Sequence, residues 1–220
     1  MELVSQAIER TSGATRIARH RHAGPYAALV LAGGYVESGD RGRFRVGPGD
    51  VLFHGAFEAH QDAFDARPAE LLNLPLDVAP DIGSARVSDA DAIARLAERD
   101  PHGAGLRLLE QLLPGPNRLA DWPDRLAAAL AADRVERIEN WADRNGLAPE
   151  TVSRGFRAAY GISPRGFRLE QRARRAAVAL AGSGECCASI AIACGFSDQA
   201  HMTRTIRALY GKTPSGLRAA

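Results

Sequence analysis

The chain has 220 residues, 45% hydrophobic and 25% charged, a globular balance that excludes global disorder and leaves room for two small domains. Its longest uncharged stretch, about residues 22–36, is too short and too broken by glycine to span a bilayer, and residues 1–11 carry two glutamates and no apolar run, so no secretory leader is expected. The net charge of +2 hides an asymmetry: residues 1–123 hold 13 basic and 17 acidic side chains, residues 150–220 hold 11 basic and 4 acidic. A basic carboxy-terminal part suits a polyanion, although a well-solvated helical surface would carry the same charge.

From Thr15 to about Asp77 the pattern is short, of period two, and punctuated by turns. Ala27–Leu31, Tyr35–Glu37, Phe44–Val46, Val51–Phe53 and Leu71–Leu76 read as strands. Gly33-Gly34, Ser38-Gly39-Asp40 and Gly47-Pro48-Gly49-Asp50 read as the turns between them. Strands at this spacing predict a small sandwich or barrel. Ser88 reads as the N-cap of a helix over Asp89–Glu98 with Ile93 and Leu96 inward. After Pro101 a second helix is predicted, with Leu106, Leu109 and Leu113 on one face and Leu108 and Leu112 beside them. These two helices must pack on the sheet or on a second subunit. The breaker cluster Leu113-Pro114-Gly115-Pro116-Asn117 marks the domain boundary.

Beyond it the chain reads as helical: Pro123–Ala132, Val135–Arg144, Pro149–Ala159, a long helix Pro164–Ala181, then Cys187–Cys194, Asp198–Leu209 and a short turn after Pro214. This part contains a repeat. Val152, Arg154, Phe156, Arg157 and Tyr160-Gly161-Ile162-Ser163-Pro164 recur 50 positions later as Met202, Arg204, Ile206, Arg207 and Tyr210-Gly211-Lys212-Thr213-Pro214. Gly146-Leu147 recurs as Gly195-Phe196. Each copy reads as helix, glycine turn, helix: the helix-turn-helix pattern. In each second helix the apolar residues fall on one face, Val152, Phe156 and Tyr160 or Met202, Ile206 and Tyr210. Glu150, Ser153, Arg154 and Arg157, or Gln199, Thr203, Arg204 and Arg207, fall on another. Such side chains can read base edges in a major groove, since arginine pairs with guanine, glutamine with adenine, and glutamate accepts from cytosine.

The run Ile190-Ala191-Ile192-Ala193-Cys194-Gly195-Phe196-Ser197-Asp198-Gln199-Ala200-His201, followed by Arg204, Arg207, Gly211 and Pro214, resembles the signature of AraC/XylS-type transcription regulators. The resemblance spans roughly residues 119–220. It implies two helix-turn-helix units, about 135–160 and 187–210, joined by the long helix and presented to successive major grooves about 34 Å apart. It also implies that Glu150, Thr151, Ser153 and Arg154 in the first unit, and Gln199, Ala200, His201, Thr203 and Arg204 in the second, contact bases or phosphates. Arg157, Arg165 and Arg207 are then phosphate clamps, which position without specifying. Two departures make the first unit the looser reader: acidic Glu150, and Gly155 in mid-helix, which costs about 1 kcal/mol against alanine.

Residues 15–76 are similar to the cupin-type sensor domain that often precedes this DNA-binding domain. His20-Arg21-His22, the glycine turns and His60 carry the likeness. Metal-binding cupins add a glutamate a few residues after the paired histidines; here that position falls at Tyr26 or Ala27 and is lost. His20, His22 and His60 could still hold zinc or nickel, with His54 a fourth partner. A sugar or other small organic effector without metal is the competing expectation, and Arg19, Arg21 and Arg45 could meet an anionic one. Cys187 and Cys194 read as small buried hydrophobes, Cys186 as a thiol at a helix start, and Trp122 and Trp141 as core anchors. Three cysteines, two adjacent, build no disulfide framework and favour a reducing, cytoplasmic setting.

The sequence therefore predicts an α+β protein: a small cupin-like β-barrel over residues 1–85, connecting or dimerisation helices over 86–118, and an all-α DNA-binding domain over 119–220. The expected function is a homodimeric, effector-controlled regulator binding double-stranded promoter or operator DNA, with RNA polymerase a further partner and no enzymatic activity. The rivals are a metal-dependent cupin enzyme with a DNA-binding tail, and a regulator whose barrel serves dimerisation alone.

Overall fold

The computed structural model describes residues 8–135 and 137–218; the extreme amino terminus, where no leader is expected, lies outside the described residues. The chain divides into two compact units, one ending at Asp124 and the other running from Arg125.

Two antiparallel sheets build the amino-terminal unit. In the first, β1 (Ile8–Thr11), β8 (Ala69–Pro75), β3 (Tyr26–Ala32), β6 (Asp50–His54), β9 (Ser84–Val87) and β10 (Leu112–Pro114) lie side by side in that order. In the second the order is β2 (Arg16–Arg21), β7 (Ala59–Phe64), β4 (Tyr35–Gly39) and β5 (Gly42–Val46). Val30, Tyr35, Phe44, Val46, Leu52, Phe64 and Leu71 form one apolar core with residues from both sheets. The opposite face of the larger sheet is covered as well: Ala27, Leu29, Phe53, Leu72 and Leu74 pack with Ile93, Ala97, Ala104 and Leu108 of two helices. β3 is thus buried on both faces, which is why it reads as an unbroken apolar run and not as an alternation.

Those helices are α1 (Ala90–Ala97) and α2 (Pro101–Glu110). The cap of α1 is Asp89, whose carboxylate accepts from the Ala92 amide, and not Ser88; Asp100 caps α2 in the same way from Gly103. The predicted second helix stops at Glu110, and Leu112–Pro114 continues as the sheet-edge strand β10. Leu106 is 51% exposed, so Leu108 and not Leu106 is the inward leucine. Residues 86–118 are accordingly part of the amino-terminal unit and not a separate connector.

Past α3 (Trp122–Ala131), the carboxy-terminal unit holds α4 (Ile138–Arg144), α5 (Pro149–Tyr160), α6 (Pro164–Gly182), α7 (Cys187–Ala193), α8 (Gln199–Tyr210) and α9 (Pro214–Arg218). The duplication is visible in the backbone. Gly146 and Gly195 hold the two turns at φ +65° and +83°, and Gly161 and Gly211 end α5 and α8 at +72° and +68°. The last pair donate their amides to the carbonyls of Arg157 and Arg207. Left-handed backbone is strained for residues with a side chain, so the same residue type recurs at each stop. Trp141 is buried as expected, whereas Trp122 is half-buried.

Candidate nucleic-acid interface and histidine cluster

In each repeat the second helix anchors one face and leaves another in solvent. Val152, Phe156 and Tyr160 of α5 are fully buried, Phe156 stacking on Tyr160 and meeting Phe167 of α6 edge-on. Met202, Ile206 and Tyr210 of α8 are buried in the same register. The opposite faces carry the residues singled out from the sequence. Glu150, Thr151, Ser153, Arg154 and Arg157 of α5 are exposed, as is Arg165 at the start of α6. On α8, Gln199, Ala200, Arg204 and Arg207 are exposed, while His201 and Thr203 are half-buried.

The two helix starts differ. Asp198 caps α8, accepting from the His201 amide at 2.7 Å, and that hydrogen bond holds its carboxyl below the usual range. His201 is fixed further by Ser197, 3.1 Å from its Nδ1, and by the edge of Phe196. α5 starts at Ala148 with no side-chain cap, relying on Pro149 in its first turn.

Sequence reasoning missed Asp133. This residue sits in left-handed backbone at φ +54° and accepts from Arg172 at 2.9 and 3.0 Å, with Arg168 and Arg175 both 3.8 Å away. Arg172 also donates to the Gly195 carbonyl at 2.8 Å, tying α6 to the turn that introduces α8. Arg134, Arg137 and Arg144 add a cationic cleft of about 570 Å³ with Asn140 and Asp143 beside α4. Of the cysteines, Cys194 is buried, Cys187 is half-buried, and exposed Cys186 caps α7, its thiol pKa lowered by the Ser189 hydroxyl and amide.

In the sheet unit, β-pairing brings the histidines together. His20 on β2 lies opposite His60 on β7, and Tyr26 on β3 lies opposite His54 on β6. The expected trio His20, His22 and His60 does converge, with donor atoms within 4.8 Å of one another. A second trio converges deeper, Glu37, His54 and His60, all buried. Glu37 comes from β4 and supplies the carboxylate that the sequence had placed, and found missing, near Tyr26. Its Oε2 lies 3.4 Å from His54 Nε2 and 3.3 Å from His60 Nδ1, which also faces Asp62 Oδ1 at 3.3 Å. The Tyr26 hydroxyl is 3.0 Å from His60 Nε2, and the Tyr26 ring stacks on His54.

The electrostatics follow from burial. Desolvation pushes the Glu37 carboxyl up to about 7 against the pull of His60. Burial opposes charge on His60, but Glu37 and Asp62 outweigh it and raise its pKa to about 10. His54 is driven well below its ordinary value by burial and then by His60. His22 falls to about 4 for the same two reasons, with His20 adding to them. These directions favour charge on His60 and disfavour it on His22 and His54.

Residues 141–220 match the family model described as a helix-turn-helix domain. Solved structures are similar over part of the chain. A transcriptional regulator with an AraC-type DNA-binding domain from Chromobacterium violaceum is 27% identical over 43% of this chain and 86% of its own, with a TM-score of 0.40. A probable AraC family transcriptional regulator from Rhodopseudomonas palustris is 24% identical over 43% and 91%, at 0.39. The DNA-binding domain of AdpA, solved with a target DNA, is 26% identical over 46% and 92%, at 0.41. No curated protein matches the chain.

Proposed function

We propose that this chain, whose residues 141–220 match a helix-turn-helix domain, is an AraC-type, sequence-specific transcription regulator controlled by an effector bound in its cupin-like sheet unit. The observation that carries the DNA reading is the duplicated helix pair, which buries one face and offers Arg154 and Arg157, then Arg204 and Arg207, at matching positions on the other. In this reading Glu150, Thr151, Ser153, Gln199, Ala200, His201 and Thr203 read or flank bases, and Arg157, Arg165 and Arg207 hold phosphates. The capped α8 is the stiffer reader and uncapped α5 the looser one. The effector, a small molecule or a metal ion, docks at the cluster around His20, His22 and His60. It acts by favouring one arrangement of the protein over another.

The working form is a homodimer in the cytoplasm, with RNA polymerase as a further partner; among the described residues no helix is long and apolar enough to cross a membrane. Selection of bound sequences from random duplex DNA, followed by affinity measurement on the selected site, tests the reading. Enrichment of no sequence would sink it. Turnover of an organic substrate with stoichiometric metal would instead favour a metal-dependent cupin enzyme carrying a DNA-binding tail. Thermal-shift screening in which neither metals nor small molecules raise the melting temperature would favour a unit serving only dimerisation.

A further inference from the structure

We propose that Glu37, His54 and His60 form a binding site for one divalent transition metal, zinc-like in its preference for four ligands. The inference deepens the functional reading, resting on its placement of a ligand at this end of the sandwich, and is independent of DNA binding.

Three observations carry it. First, Glu37 Oε2 and His54 Nε2 are both buried and neither has a hydrogen-bond partner. Two buried polar atoms 3.4 Å apart without a hydrogen bond between them are costly unless something joins them. Second, the spacing suits a shared cation. Two ligands about 2.1 Å from a tetrahedral zinc stand about 3.4 Å apart. The pairs Glu37–His54 and Glu37–His60 lie at 3.4 and 3.3 Å. Third, the ring of His60 is already oriented. Its Nε2 faces the Tyr26 hydroxyl at 3.0 Å, leaving Nδ1 toward the two carboxylates. A metal-ligating imidazole ordinarily has its second nitrogen held in this way. His60 Nδ1 also lies in hydrogen-bond range of Asp62 Oδ1, at 3.3 Å, and ligation there releases the proton shared with that carboxylate.

The outer pair is differently disposed. His20 Nδ1 faces the Ala18 carbonyl at 3.0 Å, so it carries the hydrogen, and His20 Nε2 is left to accept from His22 Nε2, also at 3.0 Å. These two nitrogens satisfy each other. His22 Nδ1 is also buried without a hydrogen-bond partner, so the choice rests on the Nε2 atoms being taken up with each other, and in this proposal His20 and His22 flank the metal site. Two imidazoles and one carboxylate leave the fourth position for water or for a small molecule.

The test uses the full chain, stripped of metal by chelation and titrated with cobalt(II) as a spectroscopic stand-in for zinc. The expected result is one equivalent bound with the strong ligand-field absorption of a four-coordinate ion. Glu37→Gln and His54→Gln should each weaken binding by on the order of tenfold or more, Tyr26→Phe by about tenfold with the spectrum retained, and His20→Gln not at all. Circular dichroism checks that each variant is folded. Should the buried substitutions unfold the chain, anomalous diffraction from cobalt-loaded native protein decides, with a peak expected in bonding range of Glu37, His54 and His60. No bound cobalt overturns the metal site and leaves an organic effector standing. Binding abolished by His20→Gln, or a peak between His20 and His22, overturns the ligand assignment while keeping the metal-sensor reading. An organic ligand that raises the melting temperature of the metal-free chain bears on the sensor reading alone.

Discussion

Arg204 and Asp198 stand six positions apart on either side of the same helix start and do different work. Arg204 is exposed on the face of α8 proposed to read bases, so Arg204→Ala is expected to weaken specific DNA binding by about 1–3 kcal/mol and to relax sequence preference; unchanged affinity for the selected site would count against the interface. Arg207→Ala is expected to weaken binding to all sequences alike and to reduce the salt slope by about 1, read from titrations at several salt concentrations. Asp198→Ala removes a cap bond and is expected to cost about 0.5–2 kcal/mol of stability, measured by denaturant unfolding. At this scale the exposed rows of α5 and α8 were legible, because helical spacing separates inward from outward residues within one element. Glu37 and Asp133 were not. Each earns its role from partners far away in sequence, His60 across β7 for one and Arg172 on α6 for the other, and no local spacing encodes such encounters.

Helices of the repeat are held by small sets of contacts that differ in kind. Phe156 is buried against Tyr160 and Phe167, so Phe156→Ala is expected to cost about 3–5 kcal/mol, visible as a lower melting temperature. Gly211 has open space around it but a φ of +68°, so Gly211→Ala introduces backbone strain without a clash and is expected to cost roughly 1–2 kcal/mol. The long helix α6 was predicted to within a residue of its end, since Ser163-Pro164 sets its start and a continuous 3.6-residue pattern follows. The leucine-rich α2 was harder. Leu106, Leu108 and Leu109 point to different sides of the helix, and packing on the sheet chose Leu108, with Leu109 partly buried beside it. Strand β7, Ala59–Phe64, carries His60, Gln61 and Asp62, and polar residues in a strand hid it from a reading based on hydrophobic alternation.

Across the whole chain the charge is partitioned, with the excess of basic groups confined to the helical unit. Binding driven by phosphate contacts releases counterions, so log affinity for DNA should fall linearly with log salt, with a slope of about −0.9 per phosphate contact. An affinity that stays flat as salt is raised would contradict the assigned role of Arg157, Arg165 and Arg207. A sheet-rich first part was legible from the change of period after about Asp77, but the breaker cluster at 113–117 sets the boundary short of Asp124, where the first unit ends. The fate of residues 86–118 was not legible, because amphipathic helices announce that they need a partner without saying which.

Strand β3 has no slack side. Tyr26 stands at the polar end of the strand, and its neighbours Ala27 and Leu29 are wedged beneath α1 and α2. Close-packed interiors yield by small concerted slips, not by local give, so any shift of β3 at its Tyr26 end would be met directly by α1 and α2 on the far side of the same sheet.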